Sequence, residues 1–213
     1  MEIISSKDNK KIKEARKLLT KKYRKNSYLI EGFHLLEEAL KAGRSIKQIF
    51  VEEDKLTKLI EMIGSEKSLT DLSVNLVSKE VLKSLADSES PQGLIAEVTK
   101  IEEVIDFSAA KFLLLENVQD PGNVGTMIRT ADAAGFSAVI LLGETADIYS
   151  PKVMRSMQGS NFHLPLVRMA KEDCFAQLKK AGISILTTTL SAGRLWIKIS
   201  KLIGSNNGQM KIS

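Results

Sequence analysis

Cysteine is almost missing from this chain of 213 residues, where Cys174 stands alone. A single thiol excludes an internal disulfide framework and a thiolate metal cluster, and it fits a reducing compartment. No apolar run approaches the roughly 18 residues that a membrane helix needs. The opening MEIISSKDNKK is not a signal peptide, so the expected location is the cytoplasm. Acid is missing from one end, since no Asp or Glu follows Asp173.

What is present has the balance of a folded globular protein, with 27% charged and 43% hydrophobic residues. The net charge of +5 is unevenly spread. Residues 1–25 carry ten basic side chains against Glu2, Asp8 and Glu14, a net of +7. Lys179, Lys180, Arg194, Lys198, Lys201 and Lys211 follow the last acid, which leaves residues 26–173 at −8. A basic arm on an acidic body points to an anionic partner, of which nucleic acid is the commonest. A solvated helix face accounts for the same lysines.

Apolar spacing predicts a helix over 7–20 with Ile12, Ala15, Leu18 and Leu19 on one face. Strands are expected at Tyr28–Ile30, Ile46–Val51, Val74–Val77 and Leu94–Val98, alternating with helices after Gly32 and over Lys55–Ile63 and Lys79–Ala86. That order describes a small α/β sandwich over 1–98. The Glu- and Asp-rich stretch 99–110 reads as a linker, and a second domain over 111–213 opens with Phe112–Leu115. In it a strand, a Gly/Pro/Asn turn, a helix and the strand Ala138–Leu142 form a βαβ unit. Ser150-Pro151 marks a helix start, with Val153–Gln158 helical. Lys171–Lys180 is a further helix, and Ile183–Leu186 a strand that ends in Thr187-Thr188-Thr189.

The turn from Asn117 to Gly135, NVQDPGNVGTMIRTADAAG, carries the chemistry. Turns at the carboxyl end of parallel strands are where ligands sit in open α/β sheets. Asn123 is expected to cap a helix that begins at Val124. Gly122 and Gly125 let backbone or ligand approach without a Cβ between, and a helix N-terminus favours phosphate. Arg129 adds a permanently charged donor fork suited to a phosphate or a ribose hydroxyl. A capped helix with a surface arginine explains the same residues. Missing Gly-Lys-Ser/Thr excludes a Walker loop, and a missing third glycine excludes the dinucleotide fingerprint.

The run from Asn117 to Phe136 resembles the first signature motif of the SpoU/TrmH family of RNA ribose 2′-O-methyltransferases. SPKVMRSMQGSNFHLPL, Ser150 to Leu166, resembles the segment that follows it. ISSKDNKKIK and KKYRKNSYLIEGFHLLEEAL resemble the RNA-binding domain of the members that act on ribosomal RNA. The resemblance implies an α/β fold in which a small N-terminal RNA-binding domain precedes a parallel-sheet catalytic domain with a trefoil knot, S-adenosylmethionine as cofactor, and a homodimer. It implies catalytic roles for Arg129 and Asn123, and donor contacts from Thr188, Thr189, Leu190 and Gly204. RNA contacts are expected from Lys10, Lys11, Arg16, Lys22, Arg24, Lys152 and Arg155, with Ser156 beside the last two.

The chain departs from the family after Thr189. A glycine-rich loop and a proline-led run ending SLNxSxA, which build the knot and most of the donor pocket in the family, are lacking here. Leu202–Gly208 approaches the first without its glutamate. The tail from Arg194 is therefore expected to be a truncated or out-of-frame end, and the knot incomplete. Two readings stay open at this point: a methyltransferase, or an RNA-binding protein of methyltransferase ancestry without activity. His34, His163 and Cys174 are expected to be packed residues, and Glu31 to hold the first domain together.

Overall fold

The computed structural model describes residues 2–64, 71–108, 111–191, 194–200 and 208–211, with side chains through Thr187. The first half is a four-stranded sheet in the order β1-β4-β2-β3: β1 is Ser27–Glu31, β2 Ile46–Glu52, β3 Val74–Val77 and β4 Leu94–Thr99. β4 runs antiparallel to both β1 and β2, while β2 and β3 are parallel. Helices α1 (Lys10–Lys17), α2 (Phe33–Lys41), α3 (Leu56–Ile63) and α4 (Lys79–Leu85) surround it.

Period-two alternation decides which face each strand residue serves. Leu94, Ala96 and Val98 join Leu36, Ala39 and Leu59 of α2 and α3 in one apolar layer. Ile95, with Leu29, Phe50 and Val77, joins Ile12 and Ala15 of α1, Leu18 just after it, and Val81, Leu82 and Leu85 of α4 in the other. The first helix is shorter than expected. Asn9 caps it by accepting from the Lys11 amide, and it gives way after Lys17 to a turn and the 3-10 segment Lys21–Tyr23.

The second half contains a parallel sheet in the order β5-β6-β7: β5 is Phe112–Glu116, β6 Ala138–Leu142 and β7 Leu166–Arg168. Helices α5 (Pro121–Ala133) and α6 (Pro151–Met157) lie on one side. Helix α7 (Lys171–Lys180) covers the other, where Cys174 and Leu178 meet Ile140 and Leu142. Ile105 and Phe107, from the stretch expected to be a linker, pack against that cluster. β7 has no counterpart in the sequence reading, because its three residues lie between Pro165 and a helix.

One apolar cluster runs without a break from α2 and the first sheet into Val124, Ile128, Val139, Met154 and Phe162 of the second half. Beyond α7 come β8 (Ile185–Ser191), β9 (Arg194–Ser200) and β10 (Gly208–Lys211), an antiparallel ribbon in the order β10-β9-β8. The tail from Arg194, expected to be a truncated or out-of-frame end, holds β9 and β10 among the described residues. Residues 201–207, which include Gly204, lie outside them. Among the described residues no helix is long and apolar enough to cross a membrane.

Candidate functional site

The motif turn begins where β5 ends. Asn117 adopts φ 55°, a left-handed conformation that asparagine tolerates better than most residues. Its Oδ1 accepts from the Glu144 amide at 2.8 Å. A Cβ on Gly143 would stand 2.2 Å from that oxygen, so the glycine is required there. The turn and the loop after β6 are tied together by this contact.

The helix that follows does not start as expected. Pro121 is its first residue and Asp120 its cap, with Oδ1 accepting from the Asn123 amide at 2.7 Å. Proline at the first helical position has its φ already set. Asn123 therefore stands in the first turn with its side chain exposed, and it does not cap the helix. The carboxylate of Asp120 also occupies the anion position at this N-terminus, which argues against the phosphate expected there. Gly125 serves packing: a Cβ on it would lie 2.4 Å from Ser156 Cβ and 2.9 Å from the Val153 carbonyl of α6.

Asn123, Thr126 and Arg129 follow at three-residue steps along one exposed side of α5. Arg129 makes no ion pair or hydrogen bond among the described residues. Buried Val124, Ile128 and Ala131 hold the opposite side of the helix in the core, so the arginine stands on a rigid base.

The other expected contacts divide. Lys10 and Lys152 are exposed and Arg16 is half-buried. Lys11, also exposed, donates to Asn75 Oδ1 at 2.7 Å, and Lys22 lies over the Tyr23 ring. Arg24 is a correction. It is 6% exposed and donates to the Leu18 and Leu19 carbonyls and to Asp147 Oδ2. A buried guanidinium needs such partners, and they leave it structural. Arg155 reaches the first half, 3.1 Å from Asp87 and 3.8 Å from Glu31. Ser156 Oγ donates to the Lys152 carbonyl. Thr188, Thr189 and Leu190 stand in β8 opposite Ile197, Trp196 and Leu195.

Both histidines are exposed, contrary to expectation. His34 Nε2 lies 3.3 Å from the Gln158 carbonyl, and His163 lies 2.9 Å from Glu38 and 3.5 Å from Asp132. Each joins the two halves of the chain, a role that period alone does not reveal. Cys174 is buried, and burial pushes its thiol up. Ser88 donates to both carboxylate oxygens of Glu31.

Four residues escaped the sequence reading: Lys100, Asp147, Tyr149 and Arg168. Arg168 donates to the Gly143, Thr145 and Ala146 carbonyls and fixes the loop after β6. The Lys100 ammonium sits 4.0 Å from the Tyr149 ring centroid and donates to the Arg24 carbonyl. Burial lowers its pKa, against the pull of Asp147. The Tyr149 ring also meets Tyr28 at 4.6 Å, and burial raises both phenols. Their signal is spatial, because the partners come from distant parts of the sequence. No cluster of His, Cys, Asp or Glu fit for a metal occurs among the described residues.

The sequence and the architecture are both similar to those of known rRNA methyltransferases. Residues 110–203 match the SpoU rRNA Methylase family and residues 9–96 the MRM3-like substrate binding domain. The chain is 40% identical to the 23S rRNA (guanosine(2553)-2′-O)-methyltransferase RlmP of Bacillus subtilis, over 98% of this chain and 84% of that protein. The rRNA methyltransferase of Sinorhizobium meliloti superposes with a TM-score of 0.77 at 30% identity, covering 90% of this chain and 74% of that one. The AdoMet-bound rRNA methyltransferase from the same organism gives 0.71 at 29% identity, over 85% and 69%. With most of its length and its motif helix accounted for in this way, the chain belongs to the SpoU rRNA methylase family.

Proposed function

We propose that the chain methylates a ribose 2′-hydroxyl of ribosomal RNA, with S-adenosylmethionine as the donor. The observation that carries this reading is Arg129, uncommitted among the described residues and held on a rigid helix at the carboxyl end of a parallel strand. Similarity to the B. subtilis rRNA 2′-O-methyltransferase over 98% of the chain supports the choice of reaction and of RNA. The same similarity favours an enzyme over an RNA-binding protein without activity.

A ribose hydroxyl is a poor nucleophile, so it must be aligned and relieved of its proton. The donor supplies an electrophilic methyl group on a sulfonium. An arginine, with a pKa above about 12, is a poor base. Arg129 instead grips an RNA phosphate; a phosphate oxygen would take the hydroxyl proton as the ribose oxygen bonds to the methyl carbon and the carbon–sulfur bond breaks, its electron pair leaving with the neutral thioether. Asn123, two three-residue steps away on the same side of α5, orients the ribose. Thr188, Thr189, Leu190 and Gly204 are assigned to the donor. The first three lie on β8, which pairs with β9.

In this reading residues 1–98 bind RNA, 99–110 link, and 111–213 form a transferase domain whose knot is incomplete. The protein works in the cytoplasm, in keeping with its single cysteine, and as a homodimer, as the family resemblance implies. Lys10, Lys11, Arg16, Lys22, Lys152 and Arg155 contribute to RNA attraction. Replacing Arg129 by Ala abolishes transfer of labelled methyl from S-adenosylmethionine to unmodified ribosomal RNA, while RNA binding stays largely intact, short of one phosphate contact. Near-parental turnover in R129A would sink the assignment.

A further inference from the structure

Between the two halves lies a cleft of about 340 Å³, lined by Lys21, Arg24, Lys100, Asp147, Tyr149 and Arg168 together with Leu141, Ile148 and Leu166. Four cationic side chains face it against the single carboxylate of Asp147, and that carboxylate is engaged by Arg24. The cations are held differently. Arg24 and Arg168 are fixed by backbone carbonyls. Lys100 is pinned between the Tyr149 ring and the Arg24 carbonyl. Lys21 is exposed, and its ammonium has no partner among the described residues. Tyr149, with Tyr28 and Lys100 already against its ring, offers little stacking surface. The cleft thus offers fixed positive charge around one uncommitted ammonium, with no evident provision for reading a base.

We propose that this cleft is a phosphodiester-binding subsite that holds the backbone of single-stranded RNA between the two halves of the chain, with Lys21 as the side chain that meets the phosphate. The subsite rests on the reading of the protein as one that acts on RNA. It is distinct from the Arg129 side of α5, since Arg129 is not among the residues that line it. Held there, the RNA backbone touches both halves at once, so the cleft sets the direction in which a strand enters.

The test is binding of fluorescent ten-nucleotide oligo(U) and oligo(A) to the full chain, by anisotropy, between about 50 and about 200 mM salt. Each phosphate contact on a single strand contributes about −0.7 to the slope of log K against log salt. K21A therefore binds more weakly than the parent, with a slope shallower by about 0.7. K179A, which changes an exposed lysine of α7 outside the cleft, keeps the parental slope. Oligo(U) and oligo(A) show the same slopes. The subsite is overturned if K21A and the parent share one slope, if K179A shifts the slope as much as K21A, or if one base is preferred more than about tenfold, worth about 1.4 kcal/mol. A parent with no salt-dependent RNA binding overturns both the subsite and the RNA reading, which sets that failure apart from the others.

Discussion

Glu38 lies 2.9 Å from His163 Nε2 and 3.4 Å from the Lys41 ammonium, at the seam between α2 and the second half of the chain. Burial pushes its carboxyl up, but hydrogen bonds from Lys41 and His163 outweigh that and leave it below the ordinary value of 4.5. A carboxyl held lower in the folded than in the unfolded chain adds stability above its unfolded value and loses it as pH falls through the folded one. In E38Q the acid-side fall in melting temperature, below about pH 4.5, should be shallower than in the parent. Parallel curves for the two proteins would show that this carboxyl contributes nothing to acid sensitivity. The sequence reading sent both histidines inward on the strength of their apolar neighbours. His163 is exposed instead because its partners, Glu38 and Asp132, lie on two different helices. Cys174, whose environment is a single helix against a sheet, was legible from the sequence.

Helices α5 and α6 meet where Gly125 brings backbone to backbone. Replacing Gly125 by Ala gains about 1 kcal/mol of helix propensity. The new methyl must then fit 2.9 Å from the Val153 carbonyl and 2.4 Å from Ser156 Cβ, and overpacking of this kind costs about 1–3 kcal/mol. G125A should therefore lower the urea midpoint, and an equal or higher midpoint would mean that α6 moves aside freely. Alternation of strands and helices was readable because each element carries its own period. The start of α5 was misplaced by three residues, since Asp120-Pro121 caps and nucleates better than Asn123 does. The tail was least legible: β8, β9 and β10 pair with one another outside the parallel sheet.

Across the whole molecule, Arg24 and Asp147 form an ion pair with side-chain exposures of 5% and 17%. Removing one partner from such a pair leaves a buried charge and costs about 3–5 kcal/mol. R24M should therefore unfold at markedly lower denaturant, and R24M/D147N should recover part of that loss. A double variant no more stable than R24M would place the cost in the lost carbonyl contacts to Leu18 and Leu19. This pair could not be seen in the sequence, where its members stand 123 positions apart. For the same reason the sequence does not show that Arg24 is buried.

The pairing of β1 with β4 sets an order of events during synthesis. β1 finds its hydrogen-bonding partner in β4, and Ser27 meets Thr99. Until the ribosome has released residue 99, the strand SYLIE has an apolar stretch and no neighbour in the finished sheet. Such waiting segments are where nascent chains meet chaperones or aggregate. The Arg24 latch closes later still, once Asp147 has emerged, so the first half of the protein is finished by the second.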